Sequence, residues 1–324
     1  MTPQNAPFTT QIRPYGKAAI AEAAGLILAG QTVAVPTETV YGLAADATND
    51  EAVARIYEAK GRPDFNPLIV HVRDLEQAEE IADFAEAAKA LARAYWPGAL
   101  TIVVSRRADS RISAAATAGL STVALRCPAH RAMRDLLAAS GRPLAAPSAN
   151  ASGCISPTSA DHVLKTLDGK IPLIIDGGRT EHGIESTIVG FAGNEIRPLR
   201  PGPIAFDELK ALAQLAEGGS SGLIEAPGQL RSHYAPSKPL RLDALHPRPD
   251  EWMIGFGAVP GDDTLSATDN LAEAASRLFH ALHRAEAQAS RGIAVAPIPE
   301  EGIGIAINDR LRRAAAPRDE TEQG

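Results

Sequence analysis

Residues 33–72 read VAVPTETVYGLAADATNDEAVARIYEAKGRPDFNPLIVHV. A short apolar strand, Val33-Ala34-Val35, runs into Pro36. Proline has no N–H for a ladder and restricts the residue before it, so the strand should end there. Thr37-Glu38-Thr39 follow, in what reads as an exposed turn. A helix comes next, with Thr48 and Glu51 at capping-box spacing. Ala52, Val53, Ile56 and Tyr57 form its apolar stripe, and Lys60-Gly61 stops it. Arg62 and Asn66 lead into a second apolar strand, Leu68-Ile69-Val70-His71-Val72. Lys60, Arg62, Asn66 and His71 thus cluster around one connection, which a bland scaffold would not need.

Working outward, strand and helix alternate. Helical spacing marks 15–29, 50–60, 75–82, 85–95, 129–139, 159–167 and 206–216. Strands are predicted at 32–35, 68–72, 100–105, 121–126, 143–147, 172–176, 186–191 and 196–200. This alternation argues an α/β fold with a mixed or parallel sheet. Residues 217–239 turn rich in Gly, Ser and Pro and read as a linker. A second αβ pattern follows: strands at 240–242, 252–256 and 293–296, a helix capped by Asn270 with Glu273, and a last helix at 304–315. The division is a first domain over 1–216, a linker over 217–239, a smaller domain over 240–316 and a polar tail over 317–324.

At 324 residues, two domains are the expectation. Composition is ordinary for a soluble globular chain, with 45% hydrophobic and 22% charged residues. A net charge of -7 argues against a nucleic-acid footprint spread over the whole surface. No apolar run reaches the roughly 20 residues of a membrane span, and no secretory signal opens the chain. A cytoplasmic location with Cys127 and Cys154 reduced is the expectation.

Each polar position carries two readings. Lys60 and Arg62 read as a phosphate-binding pair or as surface charge at a helix C-terminus. His71 reads as a core histidine or as a ligand-facing one. Arg126 ends the apolar strand Thr122-Val123-Ala124-Leu125; buried there, it needs a carboxylate or phosphate partner. Pro147-Ser148-Ala149-Asn150-Ala151-Ser152-Gly153 follows a strand with small polar residues that suit phosphate or sugar contacts. Ser156-Pro157, Asp176-Gly177-Gly178 and Glu185-Ser186-Thr187 repeat the theme at strand boundaries, where α/β proteins bind ligands. There is no Walker A loop and no G-x-G-x-x-G after the first strand. Ser148 lies in no G-x-S-x-G elbow, so a hydrolase triad has no support.

Taken together, Pro36-Thr37-Glu38-Thr39-Val40-Tyr41-Gly42-Leu43, Lys60-Gly61-Arg62-Pro63, Asn66-Pro67-Leu68, Pro147-Ser148-Ala149-Asn150 and Glu185-Ser186-Thr187 resemble the YrdC-type L-threonylcarbamoyladenylate synthases. His233-Tyr234-Ala235-Pro236 and Ile307-Asn308-Asp309-Arg310 resemble motifs of their two-domain form. The resemblance implies a YrdC-like twisted mixed sheet with a central cavity, plus a smaller Rossmann-like α/β C-terminal domain. It implies that L-threonine, bicarbonate and ATP give threonylcarbamoyl-AMP and pyrophosphate. Downstream transfer proteins then act on the adenosine beside the anticodon of tRNA. Lys60 and Arg62 would be catalytic. Thr39, His71, Arg126 and Ala146 would hold threonine, with Arg126 on its carboxylate. Arg62, Asn66, Thr122, Ser148, Asn150, Ser156, Ser186, Arg200 and Tyr234 would surround ATP. Mg2+ would come with the triphosphate, without dedicated side-chain ligands. No membrane partner and no stable nucleic-acid binding are expected.

A structureless connection as long as 217–239 is usually functional or disordered; residues 217–236 read as a lid with Tyr234 on the nucleotide, the alternative being a plain tether. Residues 229–232 are Gln-Leu-Arg-Ser where many relatives carry Met-Lys-Tyr-Arg. Two other readings share the domain. A non-enzymatic RNA-binding module disagrees with the acidic total and with 4% aromatics. A hydrogenase-maturation carbamoyl-adenylate enzyme needs zinc-finger segments, and no Cys-x-x-Cys occurs.

Overall fold

The computed structural model describes residues 8–216, 227, 233–289 and 291–317. Among them, eleven strands form one mixed sheet. Its order runs Gln11–Pro14, Leu173–Asp176, Val33–Pro36, Tyr41–Asp46, Leu144–Ala145, Ile69–His71, Thr122–Arg126, Leu100–Arg106, Thr187–Ala192, Glu195–Arg200; Ala82–Asp83 pairs beside Leu100–Arg106. Ile69–His71 runs parallel to Thr122–Arg126, in a register that sets His71 opposite Arg126. The sheet therefore brings together two polar residues that lie far apart in the chain, each at the end of an apolar strand.

The opening stretch folds as strand, hairpin, helix and strand, with one element more than its sequence announces. Tyr41–Asp46 is a strand paired antiparallel to Val33–Pro36 and Leu144–Ala145, and it is buried along its whole length. Its Gly, Ala and Asp residues have low strand propensity, so only burial between two partners makes it a strand. The turn Thr37-Glu38-Thr39 is buried, not exposed. The Thr37 hydroxyl closes it, donating to the Val40 carbonyl at 2.7 Å and accepting from the backbone N–H groups of Thr39 and Val40. The helix Asp50–Lys60 is capped by Asn49, not Thr48: Asn49 Oδ1 accepts from the N–H groups of Glu51 and Ala52. Thr48 instead donates to Asp46. Gly61 ends the helix at φ 57°, the left-handed conformation glycine adopts without a Cβ penalty.

The helix expected at 206–216 is one turn, Phe206–Leu209. Beyond it the chain pairs with the edge strand, Ile196 N–H donating to Gln214 and Ala216 N–H to Ile196, and that extended pairing ends the helix. The smaller domain has four parallel strands in the order Leu240–Arg241, Gly292–Val295, Glu251–Gly255, Asp263–Thr264. Helices Leu271–Gln288 and Gly304–Ala315 pack on them, and Asn270 Oδ1 caps the first by accepting from Glu273 N–H.

The two domains share a core. Val40, Ile155 and Ile184 of the first pack in one apolar cluster with Leu278, Phe279 and Leu282 of the second. Gly183 permits the approach, since a Cβ there would lie 2.5 Å from the Ser276 carbonyl. Cys127 and Cys154 are thiols rather than a disulfide. No helix among the described residues is long and apolar enough to cross a membrane.

Candidate active site

Strand ends, hairpin and linker meet around one hollow. Thr39, Arg62, His71, Arg126, Ala146, Ser148, Ser186, Arg200 and Tyr234, all expected site residues, line it. Lys60, Asn66, Asn150 and Ser156 stand behind the wall, bonded to it. Lys60 Nζ donates to the Ser148 carbonyl at 2.6 Å and to the Asn150 carbonyl. It thus ties the helix end to the 147–153 loop. Arg62 Nε donates to the Asn66 carbonyl at 3.1 Å and Nη2 to the Pro67 carbonyl at 2.9 Å, which hold the guanidinium from one side. Arg200 is fixed on the Ser186 carbonyl through Nε and Nη2.

Thr122 is the exception. It lies at the other end of the strand from Arg126 and lines a separate depression with Ser105 and Arg197. A five-residue strand is long enough to place its two ends at different surfaces, so sharing a strand with Arg126 does not bring Thr122 to the cavity.

Arg126 is the best-defined group. Its Nη2 meets Glu38 Oε1 at 2.6 Å and Nη1 donates to the Thr39 hydroxyl at 2.9 Å. Nε donates to the Gly98 carbonyl. Glu38 Oε2 in turn accepts from the N–H groups of Ala129 and His130. Burial pushes the Glu38 carboxyl up, but the charge and hydrogen bond of Arg126 outweigh it and hold the group down to about 2. His71 is held neutral, its pKa lowered to about 3 by burial and by the Arg126 charge.

Positive charge dominates the rest. Burial, then the neighbouring Arg62, pushes Lys60 well below its ordinary value. Burial lowers Arg62 and Arg200 to about 10, which leaves both protonated at neutral pH. Burying Arg62 and Arg200 near one another is costly, and an anionic ligand would offset that cost. The Nδ1 atoms of His71 and His233 and the Oδ1 atoms of Asn66 and Asn150 are also buried without a hydrogen-bond partner among the described residues. Of these, the two histidines line the hollow, where a polar ligand could meet an unpartnered ring nitrogen.

The lid expectation falls mostly on 217–226 and 228–232, outside the described residues. Pro227, His233 and Tyr234 do reach the cavity wall. Tyr234 is fully buried at φ 64°, a backbone conformation that non-glycine residues rarely hold without surrounding support. Glu38 and Glu185 are site residues that sequence reasoning did not assign. Their signal was each one's place beside residues that it did assign, Thr39 and Ser186.

Acid should weaken the fold in a defined order. Between about pH 6.5 and 3 the unfolded chain takes a proton on His71 that the folded chain refuses. The stabilisation from Glu38 is complete above about 4.5 and is lost as pH falls toward 2. Urea midpoints at neutral and mildly acidic pH check this; the acidic midpoint should be lower, and equal midpoints would refute it.

A family model described as "Telomere recombination" matches residues 25–202, and one described as "Threonylcarbamoyl-AMP synthase, C-terminal domain" matches residues 204–316. A Pyrococcus abyssi threonylcarbamoyl-AMP synthase is 40% identical, covering 91% of this chain and 94% of its own length. A Bacillus subtilis threonylcarbamoyl-AMP synthase is 40% identical over 92% and 93% of the respective chains. The crystal structure of P. abyssi Sua5 complexed with L-threonine superposes with a TM-score of 0.84 at 37% identity, covering 95% of this chain and 97% of that one. With both of its domains matched and its cavity in place, this chain belongs to the threonylcarbamoyl-AMP synthase family.

Proposed function

We infer that this protein is an ATP-dependent nucleotidyltransferase that condenses L-threonine, bicarbonate or CO2, and ATP into threonylcarbamoyl-AMP and pyrophosphate. Separate transfer proteins would then carry the threonylcarbamoyl group to the adenosine next to the anticodon of tRNA. The observation that carries this reading is the convergence of Arg62, His71, Arg126, Ser148, Ser186 and Arg200 on one hollow.

The chemistry needs no protein nucleophile. Threonine's amine adds to CO2 and loses a proton, giving an N-carboxylate. A carboxylate oxygen attacks the α-phosphorus, and the bond to the pyrophosphate oxygen breaks. What the protein must do is align the two anions and stabilise charge as it moves. Arg126, with Thr39, His71 and Ala146 around it, suits the threonine carboxylate and side chain. Arg62 and Arg200, with the Ser148 and Ser186 hydroxyls, suit the phosphates. Lys60, bonded to the carbonyls of Ser148 and Asn150, holds the loop that presents Ser148.

Glu38 and Glu185 are both taken by arginines, and the described residues hold no cluster of three metal-ligating side chains. Bound Mg2+ would neutralise triphosphate charge, held largely by phosphate oxygens and water.

The test is pyrophosphate release with ATP and bicarbonate, comparing L-threonine with L-serine. Release should depend on the amino acid and favour threonine about tenfold or more, the worth of one well-packed methyl. Release that ignores the amino acid altogether would overturn the assignment.

A further inference from the structure

Arg310 belongs to the second domain, yet its side chain ends in the first. It lies in the helix Gly304–Ala315 and is completely buried. Its Nε donates to Glu185 Oε2 at 2.9 Å, and Nη1 donates to the Pro201 carbonyl at 2.8 Å. Its guanidinium stands 5.6 Å from the centre of the Tyr234 ring. Within its own domain it is held by Asp309 at 2.9 Å. Glu185 and Tyr234 both line the cavity, and Pro201 directly follows Arg200, which does too.

Glu185 is otherwise out of place. A buried carboxylate in the wall of a phosphate site repels the ligand that the neighbouring cations attract. Its second oxygen accepts from the Ser156 hydroxyl at 2.5 Å. That bond fixes the carboxylate without cancelling its charge. Burial raises the Glu185 pKa, but Arg310 and then Arg200 outweigh it, so the group stays ionised. Arg310 is the cation that meets it directly.

We propose that Arg310 is a positioning residue for the nucleotide site: delivered by the second domain, it neutralises and orients Glu185 so that the cavity accepts a triphosphate. The second domain is then part of the ATP-binding apparatus. This rests on the ATP reading given above. A role as interdomain glue alone makes a different prediction: R310M would lose stability, yet the chain that remains folded would bind ATP as well as the parent.

The experiment is calorimetric titration of the full chain with ATP and Mg2+, using R310M, E185Q and E185Q/R310M. R310M should bind ATP roughly tenfold or more weakly, the expected scale for one uncompensated buried charge near the ligand. The double variant should recover most of that loss, because no carboxylate remains to repel. The R310M defect should also shrink as pH falls and Glu185 takes a proton, while the double variant shows no such recovery. If R310M fails to fold, R310K and the double variant decide, and both should keep ATP affinity. R310M binding as well as the parent, or a double variant as weak as R310M, overturns the role of Arg310 alone. A parent chain that binds no ATP overturns the proposed function, and this role with it.

Discussion

An Arg126→Ala variant is expected to lose about 10- to 150-fold in kcat/KM for L-threonine, the worth of charge-assisted hydrogen bonds to a carboxylate. Most of the loss should sit in the threonine KM, with the ATP KM little changed. The reason is the way the guanidinium is held. Glu38, Thr39 and the Gly98 carbonyl take donors from it. Arginine has five donors, so some remain for a carboxylate in the cavity that Arg126 lines. The same change should destabilise the fold by about 3–5 kcal/mol, because it leaves Glu38 as a buried charge without its partner. The two effects can be separated. Adding Glu38→Gln to Arg126→Ala should restore much of the stability and none of the threonine affinity. Steady-state kinetics with varied threonine, alongside urea denaturation, measure both. An unchanged threonine KM with reduced stability would make Arg126 a purely structural residue.

Arg62→Ala should cost more in turnover, lowering kcat by about 10²- to 10³-fold, the typical effect of removing one preorganised group from developing charge. Arg62 is anchored on the Asn66 and Pro67 carbonyls, so its orientation does not depend on the ligand. A guanidinium fixed in advance spends no reorganisation when negative charge grows at the phosphate. Neither anchor is a charged group, so the stability loss should be smaller than for Arg126→Ala, about 1–3 kcal/mol for the buried carbonyl left without its donor. Single-turnover pyrophosphate release at saturating ATP reads the chemical step. If only the ATP KM rises and kcat stays unchanged, Arg62 binds ground state and transition state equally and does not act in the step itself.

How far the sequence could be read varied from element to element. The helix Asp50–Lys60 was readable because its stripe and its terminal Gly61 are local signals. Its cap was misread by one residue, since Thr48, Asn49 and Asp50 can all cap and the choice fell to the loop that leads in. The strand Tyr41–Asp46 carried no local signal at all; it exists because Val33–Pro36 and Leu144–Ala145 flank it. Thr37-Glu38-Thr39 looked like a solvated turn because polar residues usually are solvated. The partner that allows its burial, Arg126, stands 88 residues away from Glu38. Thr122 was placed with the site through its strand, and the strand's length carried it elsewhere.

The chain's own residues determined the α/β alternation, the motif set and the family resemblance. They also marked about half of the residues that line the cavity, its arginines among them. These are local facts, set by hydrogen bonds and apolar spacing within a few residues. Only the tertiary structure decided that Arg126 answers Glu38 and that His71 stands opposite it. The tertiary structure also brought Arg310, 125 residues from Glu185, across a domain boundary to meet it. A buried charge takes its role from the partner that compensates it, and that partner is chosen by how the sheet and domains pack, not by any neighbour in the chain.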